Sequence, residues 1–210
     1  MPAQKLLIFP FNGNGIEALD CIDSEQYDVL GFIDDDSCKR SDDYALFSRE
    51  VLSRYKEVQV LAVPGSPLSF KKRADVISSL RLPQERFATV IHPKAVIGKN
   101  VVIGFNTLIL AGVVLTSNAV IGNHVCVLPN SVVHHDSTIS DYTLIGSNVV
   151  IAGGCTVGAN CYIGSGANVI NGVIIGRFSL IGLGTNIIND VNENAKMVGN
   201  PARNLQTQFV

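Results

Sequence analysis

The sequence lacks the marks of membrane, nucleic-acid-binding and disulfide-framed proteins. It has no apolar run of about 20 residues, the length a membrane helix needs, and the apolar stretch in "MPAQKLLIFPFNGNG" is too short for a secretory signal. Only 16% of the 210 residues are charged, the net charge is -2, and Lys and Arg cluster nowhere beyond "KKR" at 71–73. Binding to a phosphate backbone rests on clustered cations, so no nucleic-acid partner is expected. The five cysteines, Cys21, Cys38, Cys126, Cys155 and Cys161, are odd in number and form no CxxC pair. That is the pattern of reduced thiols in a cytoplasmic protein. A P-loop is missing, and the one glycine-rich turn, "FNGNG", falls short of GxGxxG. The remaining chain is 47% hydrophobic and long enough to bury a core, as one domain or two small ones.

Its main feature is a ladder. Every sixth residue from Ile91 to Ile187 is Ile, Leu or Val, seventeen positions without a break. These three residue types make up only about a quarter of an ordinary chain. The residue two places earlier is mostly small, as at Ala95, Thr107, Ala119 and Ser131, and glycine often follows, as at 98, 104, 122, 146, 158, 164, 176 and 182. A period of six fits neither a helix, at about 3.6, nor the simple alternation of a strand. It fits a solenoid whose faces each consume six residues, with the aliphatic side chain inward and a tight turn after it. The glycine is expected to supply the backbone freedom of that turn.

The first 85 residues read differently. "KLLIFP", "YDVLGFI" and "EVQVLAV" are short apolar strands, "FNGNGIEALDCI" is a glycine-containing loop entering a helix, and "LSFKKRADVISSL" has helical spacing of Leu68, Ala74, Val76 and Leu80. Such alternation implies a small α/β unit with a parallel sheet. Its ligands bind beyond the carboxyl ends of the strands. Those ends carry Asn12, Gly13 and Asn14, then Asp34 and Asp35, then Pro64 and Gly65. The acidic pair lies about 20 residues past the glycine loop, where a Rossmann-type fold holds a ribose-binding carboxylate.

In order, the chain runs α/β unit, "GFIDDD", hexapeptide ladder, "HHD" at 134–136, "AGG" at 152–154 and "GNPAR" at 199–203. This resembles bacterial acetyl-CoA-dependent acetyltransferases that modify nucleotide-linked amino sugars, and the related sialic-acid-pathway O-acetyltransferases. The resemblance implies a Rossmann-like nucleotide-sugar-binding domain over 1–85, then an acetyltransferase domain over 86–210. The second would be a left-handed parallel β-helix with three faces per coil, hence about 18 residues per coil. It further implies acetyl-CoA as cosubstrate without a metal, a cytoplasmic homotrimer with active sites between subunits, and a place in surface-polysaccharide biosynthesis. His135 falls on the family's catalytic histidine and Asp136 on its acidic neighbour. His134 stands where glutamate is common, and Leu144 where a further histidine often follows. Gly153 aligns with the glycine whose amide meets the thioester oxygen. Ser165 and Gly166 would line the pantetheine arm, and Pro201 and Arg203 the adenine end.

The chemistry suits these residues. An imidazole titrating near about 6.5 can take the proton of an attacking nucleophile at neutral pH. A carboxylate beside it orients the ring and favours the imidazolium. A backbone N–H at the oxyanion can contribute roughly 3–4 kcal/mol. Cys155 and Cys161 occupy equivalent rungs and read as inward fillers. Ser137 is the one nucleophile type beside the histidine pair, so direct attack in a ternary complex is favoured over a covalent intermediate. Three alternatives remain at this level: acetylation of a hydroxyl, a catalytically silent scaffold, and a zinc site drawing on His92, His124 and the 134/135 pair, for which no ligand spacing is evident.

Overall fold

A computed structural model describes residues 3–205. Strands β1 (Gln4–Phe9), β2 (Tyr27–Ile33), β3 (Leu46–Phe47) and β4 (Gln59–Ala62) form a parallel sheet in the order β3-β2-β1-β4. Central strand β1 is apolar on both sides, as a strand covered on two faces must be. Leu6 and Ile8 pack with Phe32, Leu61 and Phe70, while Leu7 and Phe9 pack with Ile33, Val60, Ile77 and Leu80. Helix α1 (Gly13–Ala18) follows β1, α2 (Val51–Arg54) precedes β4, and α3 (Arg73–Ser78) follows it. The pair β3 and α2 carries no apolar periodicity that sequence reading detects, because each is under two turns or strand repeats long.

The segment at 68–80 corrects the expected helical face. Leu68 is 98% exposed, and the buried positions are Phe70, Arg73, Ile77 and Leu80. The helix itself starts only at Arg73, after a 3₁₀ turn at Phe70–Lys72. "KKR" is therefore no basic patch. Lys71 and Lys72 are exposed, whereas Arg73 is 1% exposed and occupies the middle of the apolar face.

From Val90–Ile91 to Asn186–Ile187 the chain forms seventeen two-residue strands. Strands 18 residues apart pair in parallel, as Val132↔Val150 and Val133↔Ile151 do, and build three sheets. Five complete coils and two further faces result. The first face carries Leu108, Cys126, Leu144, Tyr162 and Leu180 outward, and these pack against the α/β unit in one shared core with Leu6, Ile8, Leu61 and Phe70. The second face runs through Val132–Val133 and Val150–Ile151, the third through Thr138–Ile139 and Thr156–Val157. Inside, the ladder residues from Ile109 to Ile187 are buried. Ile91 and Ile97 are not: they are 37% and 39% exposed, because no earlier coil covers the open end.

The glycine that follows the ladder residue does not serve the turn. The left-handed backbone lies three residues after the ladder position, where Asn100, Asn118, Asn130, Asn148, Gly112, Gly154 and Gly166 all have positive φ. Asparagine tolerates that conformation because its short side chain bonds locally. The glycine directly after the ladder residue is needed for close approach instead. A Cβ on Gly158 would lie 2.6 Å from Arg177 N, and one on Gly164 2.8 Å from Gly182 C.

Arg73 fastens the two parts. Its Nε donates to Tyr142 O at 2.9 Å, one terminal nitrogen to His124 O at 2.5 Å, and the other to Pro64 O. Beside it, Asn106 pairs with both the N–H (2.7 Å) and C=O (2.8 Å) of Ala62 at the end of β4. The sequence carries no mark of this role at either residue. Arginine is rarely buried without a carboxylate, so nothing local marks Arg73 as a core residue.

Candidate active site

His134, His135 and Asp136 form the corner between the second and third faces, and Val133 keeps the inward rung with no exposure. Asp136 sits at the left-handed position, φ 59°. Its carboxylate is held from two sides. Oδ1 accepts from Asn118 Nδ2 at 2.8 Å, and Oδ2 lies 2.7 Å from His135 Nδ1. Those bonds, the one from His135 first, hold the Asp136 carboxyl below the usual carboxylate range. Ionised Asp136 has only lone pairs to offer, so Nδ1 carries the proton and Nε2 is left as the basic nitrogen. Both groups are open to solvent, 60% for His135 and 57% for Asp136.

Gly153, one coil on, lies under the imidazole. A Cβ there would stand 2.6 Å from both Nε2 and Cε1 of His135, so any side chain would displace the ring. The neighbouring Gly154 N–H donates to His135 O at 2.9 Å and pins the backbone below the base. The corner therefore offers a basic nitrogen, an orienting carboxylate and a close backbone, and these can move a proton during acyl transfer.

The family model for bacterial transferase hexapeptide (six repeats) matches residues 100–135 and 136–171, a stretch that contains this corner. Residues 100–171 carry that hexapeptide repeat. The solenoid is the left-handed β-helix of that repeat, against the right-handed rule for parallel crossovers. No curated protein matches the sequence. Among solved structures, a histidine-to-asparagine variant of perosamine N-acetyltransferase from Caulobacter crescentus, in complex with CoA and GDP-perosamine, is 23% identical, with TM-score 0.83 and 99% of each chain covered. The acetyltransferase domain of PglB from Neisseria gonorrhoeae, in complex with acetyl coenzyme A, is 20% identical, with TM-score 0.84 over 97% of this chain and 100% of that one. WeeI from Acinetobacter baumannii is 24% identical, with TM-score 0.79 over 97% and 100%. These likenesses establish the shared fold, α/β unit included.

Around this hexapeptide solenoid the other expected residues fall in three places. Asn12, Gly13, Asn14, Asp34, Asp35, Pro64 and Gly65 do gather at the carboxyl end of the sheet, on the first-face side of the solenoid. Several are already engaged there. Asn12 caps α1 by accepting from Gly15 N at 2.9 Å, and Asn14 Nδ2 reaches Val63 O at 3.4 Å and Gly65 O at 3.5 Å. Pro64 is buried with its carbonyl on Arg73. Asp34 accepts from Phe11 N, Asp36 N and Lys39 Nζ at 2.8–2.9 Å. Burial pushes its pKa up, but Lys39 and the two backbone N–H groups outweigh that and hold it low. Asp35 makes a bidentate pair with Arg49 at 2.5 and 2.6 Å. Gly13 is exposed, and a Cβ on it would touch nothing within 4 Å.

Ser165 and Gly166 belong to a different edge, the corner between the first and second faces, so one chain does not bring them together with Gly153. Ser165 Oγ accepts from Ser147 N at 3.0 Å. Pro201 and Arg203 are exposed in a tail that doubles back, with Arg203–Asn204 antiparallel to Lys196–Val198. That tail is tied to the end of the second face, where Ala202 N donates to Asn186 O at 3.1 Å.

The zinc alternative finds no geometry. Among the described residues no three His, Cys, Asp or Glu side chains converge. His92 Nδ1 accepts from Lys94 N at 2.9 Å. His124 is buried at the corner between the third and first faces, stacked on Tyr142 at 4.6 Å with its Nδ1 2.8 Å from Asn106 Nδ2. Cys155 and Cys161 are buried as fillers, Sγ toward Ile170 O (3.1 Å) and Gly176 O (3.2 Å). No described helix is long and apolar enough to cross a membrane.

Proposed function

We propose that this protein transfers an acetyl group from acetyl-CoA to the amino group of a nucleotide-linked amino sugar in bacterial surface-glycan synthesis. The observation that carries the reading is the His135–Asp136 pair at 2.7 Å, its free Nε2 held over Gly153. The amine nitrogen attacks the thioester carbon while His135 Nε2 takes the amine's proton. The oxyanion of the tetrahedral intermediate is met by the Gly153 N–H. The C–S bond then breaks, the thiolate leaves and is protonated, and the products are CoA and the N-acetylated sugar. The solved relative with CoA and GDP-perosamine supports both substrate classes.

The separation of site residues within one chain supports an assembly. The second–third edge with His135 is opposite the first face, where the α/β unit packs. In a homotrimer, His135 of one chain would face the sheet end and the Ser165–Gly166 edge of its neighbour. Acetyl-CoA would then run from Gly153 toward Pro201 and Arg203, with Arg203 near a phosphate. Asn12, Gly13, Asn14, Asp34, Asp35, Pro64 and Gly65 would surround the nucleotide.

The test is incubation with acetyl-CoA and a panel of nucleotide-4-amino sugars and the corresponding 4-hydroxy sugars, with mass spectrometry of the products. N-acetylation with release of free CoA is expected. Acetylation of hydroxyls alone would favour the O-acetyltransferase alternative, and no acetyl-CoA binding by calorimetry would leave a scaffold. Sedimentation is expected to give a trimer, and a stable, active monomer would refute the shared site.

A further inference from the structure

The Asp136 carboxylate ends a stack of side chains that runs up the solenoid edge. Asn100, Asn118 and Asp136 hold the same corner position on successive coils, all with positive φ. Asn100 Nδ2 donates to Asn118 Oδ1 at 3.2 Å, and Asn118 Nδ2 donates to Asp136 Oδ1 at 2.8 Å. The next positions in the column are Gly154 and Gly172, which have no side chain to continue it. The amide of Asn118 is thereby polarised one way. Its oxygen is taken by the coil above, so its NH₂ faces the carboxylate below. Asp136 Oδ1 is fixed, and Oδ2 is left for His135 Nδ1.

We propose that Asn118 is a positioning residue for the base, acting through Asp136 to set the Nδ1–H tautomer of His135. The inference rests on the acetyl-transfer reading for its kinetic consequence, but not for the tautomer. A free neutral imidazole favours its proton on Nε2, which would spend the lone pair the reaction needs. Asp136 reverses that preference only while its carboxylate lies in the ring plane. Both groups are more than half exposed, so water competes for every bond and the orientation needs a second anchor. His134 cannot supply it, because an imidazole has no carboxylate to offer. The stacked amide can, since each coil is registered to the next by strand pairing, as at Val114↔Val132. A second amide pair, within the strands of the second face, joins Asn168 to Asn186 at 3.0 Å and involves no carboxylate. The ladder is thus a structural device of this fold, turned to a further purpose where its end meets His135.

The test uses Asn118→Gly, which keeps the left-handed backbone without strain, and Asn118→Asp, which sets a second carboxylate against Asp136. The ¹⁵N chemical shifts of the His135 ring report its tautomer in each full-length protein. In the wild type Nδ1–H is expected to dominate, and in Asn118→Gly the Nε2–H form rises. Turnover should fall roughly tenfold in Asn118→Gly, well short of the ~10⁴ seen when an orienting carboxylate is itself removed. Asn118→Asp should fall further, and the KM for acetyl-CoA should stay the same in both. Unchanged tautomer and unchanged kcat in Asn118→Gly overturn the proposal. A shifted tautomer with unchanged kcat keeps the positioning and refutes the acetyl-transfer role of His135 instead.

Discussion

At the scale of single residues, two histidines at solenoid corners have opposite fates. His135 stands at an exposed corner with its Nδ1 on Asp136, and Nε2 is free to act. Replacing His135 with Ala should lower kcat by about 10²–10⁴, the usual range for a lost general base, while sedimentation and acetyl-CoA affinity stay unchanged. His134→Ala should cost less, and a larger loss there would exchange the two roles. His124 is buried, and its burial first, then the charge of Arg73, pushes its pKa down to about 4, with Asp141 opposing. An unfolded histidine titrates near about 6.5. The unfolded chain therefore takes up this proton first as pH falls. The stability that neutral His124 contributes is whole above that value and is lost progressively as pH drops from about 6.5 toward about 4. It amounts to something on the order of 3 kcal/mol. Urea midpoints at pH 7, 5.5 and 4.5 should fall more steeply for the wild type than for His124→Asn, which suits the left-handed corner and cannot titrate. Parallel curves would mean that another group sets the acid limit.

At the scale of the repeat, several corners need a residue without a side chain directly after the rung, and a different position, three residues after the rung, turns left. Gly158→Ala brings a Cβ within 2.6–3.0 Å of backbone atoms of Arg177 and Ile175, none of which can swing away. A cost of about 1–3 kcal/mol is expected, as for other overpacked sites, and should be read as a lower Tm with the coil count unchanged. Asn148→Gly replaces an exposed residue at φ 55° and should stay within about 0.5 kcal/mol. Equal effects of the two substitutions would mean the positions are not distinct. The period of six was legible because every rung repeats one environment, and so was the glycine's presence. Its reason was not, because a clash between coils involves residues 17 to 19 positions away, and no local rule reports it.

At the scale of the molecule, the α/β unit and the solenoid are one packed body. Leu108, Cys126 and Leu144 are buried only because Leu6, Ile8, Leu61 and Phe70 cover them. A fragment of residues 86–210 should therefore expose an apolar face and aggregate or melt well below the full chain by calorimetry. A fragment as soluble and stable as the whole would show the interface to be dispensable. Arg73→Met keeps most of the stem but orphans the carbonyls of Pro64, His124 and Tyr142. Stranding even one buried polar group costs about 1–3 kcal/mol, so this change should be among the most damaging that leaves His135, Asp136 and Gly153 untouched. Hydrogen exchange across Val63–Ser69 should rise with it.

What the sequence determined alone is whatever repeats or follows chain order. The seventeen-rung ladder fixed the solenoid, strand–loop–helix alternation fixed the parallel sheet, and the 18-residue spacing placed Gly153 beneath His135. Even the Asn100–Asn118–Asp136 stack is written in that spacing, although it goes unnoticed until the corner conformation is known. Tertiary structure decided the rest. It turned "KKR" into a buried anchor, took up Asn14 and Asp35 in contacts of their own, and set Ser165 on a different edge from Gly153. The physical reason is that periodicity reports which way a side chain points relative to its own coil. Which partner waits there depends on how the first face closes against a separate sheet, as where Asn106 meets Ala62 at a separation of 44 residues, and no period spans that distance.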